Sequence, residues 1–72
     1  MSRAAAIGDE RRLGGYALAG VEVLPATTAV EAQVALAGLD DETALVLLTP
    51  EAHDAVAAEL AERRGCVWAV LP

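Results

Sequence analysis

Seventy-two residues suffice for one small domain, which at this size buries only about 60% of the surface its unfolded chain exposes, so its stability rests on close packing. Its hydrophobic fraction of 56%, much of it alanine, argues against disorder, and with no phenylalanine the core must be built from Val, Leu, Ile and Ala. A net charge of −6, with five arginines, no lysine and eleven acids, argues against a nucleic-acid or anionic-membrane surface, since neither is met without a basic stripe.

Arg3 to Ile7 is the first short aliphatic run, closed by Gly8-Asp9, and its length and boundaries predict a strand. Asp9 to Ala19 reads as a short helix with Asp9 as its N-cap. Gly14 and Gly15 each cost about 1 kcal/mol there relative to alanine, which suggests close approach to the sheet or to another chain. Gly20 to Leu24, closed by Pro25, is the second predicted strand. Thr28 and Glu31 make a capping box, and Val30, Val34 and Ala37, widened by Leu36 and Leu39, read as the buried stripe of a helix stopped at Gly38.

Asp40-Asp41-Glu42 reads as a solvated turn before the third strand, Ala44 to Leu48. Thr49 and Pro50 are N-cap and first residue of the next helix, whose seam is Ala52, Val56 and Leu60. Arg63 and Arg64 fall in its last turn and Gly65 ends it. Cys66 to Leu71, closed by Pro72, is the fourth strand. The alternation predicts an α/β fold of three layers, flavodoxin- or Rossmann-like, with a four-stranded parallel sheet in the order 2-1-3-4 and about three helices. Strands without polar alternation further suggest a sheet covered on both faces.

Chemistry is hard to assemble from these residues. Open parallel sheets bind ligands at the carboxyl ends of their strands. A phosphoryl-accepting site there needs an acid at the end of the third strand and a lysine, whereas Thr49 stands at that end and the chain has no lysine. Gly14-Gly15 fits neither the P-loop nor the dinucleotide fingerprint. A single His53, on a solvated face beside Glu51 and Asp54, makes no metal site, and a single Cys66 makes no intramolecular disulfide; it reads as a small core residue in a reducing compartment. Trp68 reads equally as core or as partner-facing, and the ring of Tyr16 could cover the glycine pair. No catalytic, cofactor or metal residues are assigned. The apolar runs, such as Ala44 to Leu48, fall far short of the roughly 20 residues of a membrane span, so no direct membrane insertion is expected.

The segment Ile7-Gly8-Asp9-Glu10-Arg11-Arg12-Leu13-Gly14-Gly15-Tyr16-Ala17-Leu18-Ala19-Gly20-Val21 resembles the N-terminal signature of the F-subunit family of V/A-type (vacuolar/archaeal-type) rotary ATPases, with Tyr16 where phenylalanine is usual. The rest is similar in outline: a helix at Thr28, a strand ending Leu-Leu-Thr, an acidic helix start and a last strand ending in proline. The resemblance implies a non-catalytic rotor component, cytoplasmic and peripheral to the membrane. Such a component binds the coiled-coil D-subunit and other parts of the central stalk, and helps couple ATP hydrolysis or synthesis to ion transport. It carries over Gly8, Asp9, Gly15, Tyr16, Leu18, Ala19 and Gly20 as fold-defining motif positions, with Gly20 turning the chain into the second strand. Members of that family continue with a C-terminal helical segment, so a chain stopping at Pro72 is expected to leave an apolar patch exposed. Two other readings stand beside this one. A degenerate receiver-like or other flavodoxin-like regulatory domain would bind a protein without being phosphorylated, with self-association through an exposed edge or the third helix as one route. An enzyme fragment would use Cys66 or Asp9.

Overall fold

The computed structural model describes residues 2–72. Among these, β1 (Arg3–Gly8), α1 (Glu10–Ala17), β2 (Glu22–Pro25), α2 (Ala29–Ala37), β3 (Thr43–Leu48), α3 (Pro50–Glu62) and β4 (Val67–Val70) follow in strict alternation. The four strands form one parallel sheet in the order β2-β1-β3-β4. The α/β class and this strand order agree with the sequence reading. No helix among the described residues is long and apolar enough to cross a membrane.

The helix ends follow from local side chains. Asp9, in extended backbone, accepts from the Arg11 amide at 2.9 Å and starts α1. Thr28 accepts from the Glu31 amide at 3.1 Å, and Thr49 from the Ala52 amide at 3.4 Å, with Pro50 as first residue of α3. Glu31 answers one residue further back than a capping box requires, taking the Thr27 amide at 2.8 Å and its hydroxyl at 3.0 Å. Gly38 ends α2 in ordinary right-handed backbone. The chain leaves α3 at Arg63, which has already turned extended.

The core is made by Ile7, Val46 and Leu48 of the sheet against Ala32 and Leu36 of α2 and Ala52, Val56 and Leu60 of α3. The α3 seam is the one expected. The α2 stripe is met only at its widening residues: Leu36 is buried and Leu39 packs beside it, joined by Ala32 and Ala35, while Val30 and Val34 are about two-thirds exposed. Both phases are apolar in this alanine-rich helix, and the sheet selected the one with a leucine at its centre.

Helix α1 packs on β1 and β2 and, among the described residues, meets α3 through the Arg12–Glu51 ion pair at their starts rather than by packing, whereas α2 and α3 pack on each other. Right-handed crossovers place α1 alone on one face of the sheet and α2 with α3 on the other. The expectation of a sheet covered on both faces is therefore corrected. On the α1 side the helix covers β1 and β2 and no helix packs over β3 and β4, where Leu45 and Leu47 are half-buried and Val67 and Ala69 exposed.

Candidate functional site

At the carboxyl ends of the strands the order reverses between β1 and β3, and a cleft of about 270 Å³ opens there. Its rim includes Asp9, Thr28 and Thr49, the N-caps of all three helices, together with Arg12, Thr27 and Glu51. Three helix starts aimed at one cleft suit an anion in principle. Here each start already holds an acceptor of its own: Asp9 on α1, Thr28 and Glu31 on α2, Thr49 on α3. The Thr27 amide and hydroxyl, assisted by Thr28, hold the Glu31 carboxyl below its ordinary pKa. Arg12 is engaged as well, with the Glu51 carboxylate at 3.4 Å and the Pro72 carbonyl at 3.1 Å. An entering anion would have to displace these acceptors and lie beside Asp9 and Glu51.

The cleft has little to work with as a reaction centre. Thr49, at the end of β3, is buried and its hydroxyl is turned to capping. Among the described residues no three His, Cys, Asp or Glu side chains gather closely enough to hold a metal ion. Cys66 lies on the opposite end of the sheet, half-buried against the core, with its thiol near the Val67 carbonyl. His53 departs from the solvated position expected of it, because its ring packs against Trp68 with centroids 5.0 Å apart. That contact answers the ambiguity at Trp68 with both halves: one side leans on α3 and 41% of the residue stays exposed. The acidic turn is more than a solvated loop. Asp40 accepts from the Glu42 amide at 3.0 Å, and Arg3 bridges Asp40 and Glu42.

The seven motif residues divide into two groups. Gly8 has φ +150°, and a methyl built on it would lie 2.9 Å from Thr49 Cβ and overlap the rest of that side chain. Asp9 caps α1, and Gly20, at φ +87°, makes the turn into β2. The Tyr16 carbonyl accepts from Ala19 and Val21 in the same turn, and Tyr16 itself is half-buried. These four serve the fold. Leu18 and Ala19 take part through their backbone amides, both donating to the Tyr16 carbonyl, but their side chains are exposed, Leu18 at 93%, and a Cβ on Gly15 or Gly14 would meet nothing within 4 Å. The glycine pair therefore gives no close approach to the sheet.

The half of this sheet face over β3 and β4 carries no helix. Paired residues of parallel strands share a face, so Ala4 and Ala6 of β1 lie in rows with Leu45 and Leu47 of β3, and these with Val67 and Ala69 of β4. Leu13 of α1 is fully buried and closes over the β1 end of these rows, whereas Val67 is 69% exposed and Ala69 is exposed. The two sheet edges also differ. β2 carries Glu22 and ends in Pro25, both of which discourage strand addition; β4 reads Val-Trp-Ala-Val with neither charge nor proline.

Sequence reasoning did not single out Leu45, Leu47, Val67 and Ala69, because only strand order and helix handedness separate a covered apolar strand from a bare one. It also missed Arg63, which reaches across to donate to the Leu36, Leu39 and Asp40 carbonyls at 3.4, 3.0 and 3.1 Å, closing the end of α2 from α3. Compared with known proteins, the chain matches no family model, no curated protein and no solved structure.

Proposed function

We propose that this chain is a non-catalytic docking component of the central stalk of a V/A-type rotary ATPase. In this reading it binds the coiled-coil D-subunit of the stalk and lies peripheral to the membrane through the assembled complex. It contributes a rigid surface, and the chemistry of ATP and the movement of ions belong to other subunits.

One observation carries the reading. The segment that resembles the F-subunit signature, Ile7 to Val21, forms the end of β1, α1 and the turn into β2. Gly15, Leu18 and Ala19 stand on the surface of that segment with their side-chain positions open. Motif residues whose side-chain positions stay exposed suit contact with a partner. The engaged helix starts of the strand-end cleft fit a protein that supplies surface rather than a ligand site.

A flavodoxin-like regulatory domain with another protein partner shares the same strand order and is the second reading. Co-expression with the stalk coiled coil, followed by size-exclusion chromatography with light scattering at varied salt, separates the two. A stable one-to-one complex supports the stalk reading. A chain that is folded by circular dichroism but never co-elutes with that coiled coil excludes it in favour of the second.

A further inference from the structure

We infer that β4 is the pairing edge of a two-fold dimer, in which it lies antiparallel against β4 of a second copy with Ala69 on the symmetry axis. The inference goes beyond the docking reading and does not depend on it. The motif positions Gly15, Leu18 and Ala19 belong to α1 and the turn into β2, toward the opposite edge of the sheet.

Backbone polarity makes this edge a seat for a strand. The Leu71 amide donates to the Leu48 carbonyl at 2.8 Å, and backbone groups alternate in direction along a strand. Val67, Ala69 and Leu71 therefore turn their amides and carbonyls to β3, while Trp68 and Val70 turn theirs outward. At the far edge the Ala26 amide donates to the Gly8 carbonyl at 2.8 Å, which by the same alternation leaves Val23 and Pro25 facing outward from β2. Pro25 has no N–H, so β2 offers one outward donor where β4 offers two. β4 is also exposed at every residue. With one edge blunted and the other open, association closes at two copies and does not grow into a filament.

The side chains of β4 choose a second β4 as its partner strand. In antiparallel pairing about Ala69, Trp68 and Val70 lie opposite Val70 and Trp68 of the second copy, and each pair exchanges both of its N–H···O bonds. Every outward amide of the two strands is then satisfied. On the α3 face this sets the Trp68 ring beside Val70 of the second copy, an aromatic and β-branched pair of the kind that stabilises sheets. Both residues are 41% exposed in the single chain, and Trp68 already leans on His53 with its other side. On the opposite face Val67, 69% exposed, comes against Leu71 of the second copy. Ala69 meets Ala69 at a non-hydrogen-bonded position, where Cα atoms approach to about 4.5 Å and a small side chain fits. Cys66 to Pro72 carries no charge, so the pairing opposes no like charges although each copy bears −6.

The test uses the full chain in sedimentation equilibrium over a range of concentrations. The interface is small, so the mass is expected to rise from 7.4 kDa toward twice that value between about 10 µM and about 1 mM. Over that range hydrogen exchange should slow at the Trp68 and Val70 amides, while Ala69 and Leu71, already bonded to β3, keep their protection. Ala69→Glu and Ala69→Lys each place like charges face to face at an exposed position, and each is expected to weaken the dimer by about fivefold or more. Mixing these two variants brings unlike charges together and should restore association. Val34→Glu, an added charge on α2, should dimerise like the parent. A folded chain that stays monomeric at the top of the concentration range overturns the inference. So does a dimer indifferent to both Ala69 changes, which would use another surface, or a mixture of the two variants that fails to associate. A monomer whose complex with the stalk coiled coil is abolished by Ala69→Glu assigns β4 to that partner and overturns it as well. Dimerisation without any stalk complex removes the stalk partner and leaves the pairing edge standing.

Discussion

The motif Gly8 to Gly20 contains glycines that look alike in sequence and are predicted to respond to alanine with opposite signs. At Gly8 the added methyl enters the space of Thr49, a buried residue that caps α3, and the backbone sits at φ +150°. Overpacking of a tight site costs about 1–3 kcal/mol, and a strained backbone adds about 1–3 kcal/mol more. Gly8→Ala is therefore expected to cost about 3 kcal/mol. At roughly 0.05–0.15 kcal/mol per residue the whole domain is stable by only about 4–11 kcal/mol, so that loss lowers its melting temperature by at least ~12 °C. At Gly14 and Gly15, inside α1 with nothing within 4 Å, alanine meets no obstacle and should stabilise by about 0.5–1 kcal/mol each. Urea unfolding followed by circular dichroism measures all three. Thr49→Ser keeps the capping oxygen but removes the methyl, and in that background Gly8→Ala should cost about 1 kcal/mol less. A Gly8→Ala chain as stable as the parent, or a cost unaltered by Thr49→Ser, refutes the steric argument.

The phase of α2 is checked by a pair of substitutions: Leu36→Ala is expected to cost about 2–4 kcal/mol and Val34→Thr less than about 0.5 kcal/mol, both by urea unfolding. Removing the Arg63 guanidinium as Arg63→Ala takes a charged donor from three carbonyls near the end of α2, of which Leu36 and Asp40 keep the Leu39 and Thr43 amides, and should cost about 1.5–3 kcal/mol, with amide hydrogen exchange accelerating at Gly38 and Leu39. Hydrogen bonds from Thr27 and Thr28 lower the pKa of Glu31, so its contribution to stability is complete above the ordinary glutamate range and is lost as pH falls through the lowered value. In a pH series of melting temperatures, Glu31→Gln should lie below the parent at neutral pH and converge with it in acid. Parallel curves across that range would exclude the linkage.

What could be read from the sequence was local. N-caps at Asp9, Thr28 and Thr49 are set by side chains reaching amides two or three residues away, and the strands are marked by Gly and Pro at their ends, so element type and order followed from the chain itself. Handedness of the crossovers left few strand orders, and the flavodoxin-like one chosen among them is the one observed. The α3 seam was legible because its other faces carry Asp54, Glu59 and Glu62. In α2 the apolar residues outnumber the polar ones on every side, and local pattern could not tell Val34 from Leu36.

The tertiary structure decided what depends on residues far apart in the chain. Arg63 finds its carbonyls more than twenty residues away, and His53 finds Trp68 only once β4 has paired with β3. The bare face is the clearest case. Leu45 and Leu47 alternate with Val46 and Leu48 in an unbroken apolar strand, and nothing in that run separates the two rows. Their fates differ because α2 and α3 close over one row and the single helix α1, spent on β1 and β2, cannot reach the other.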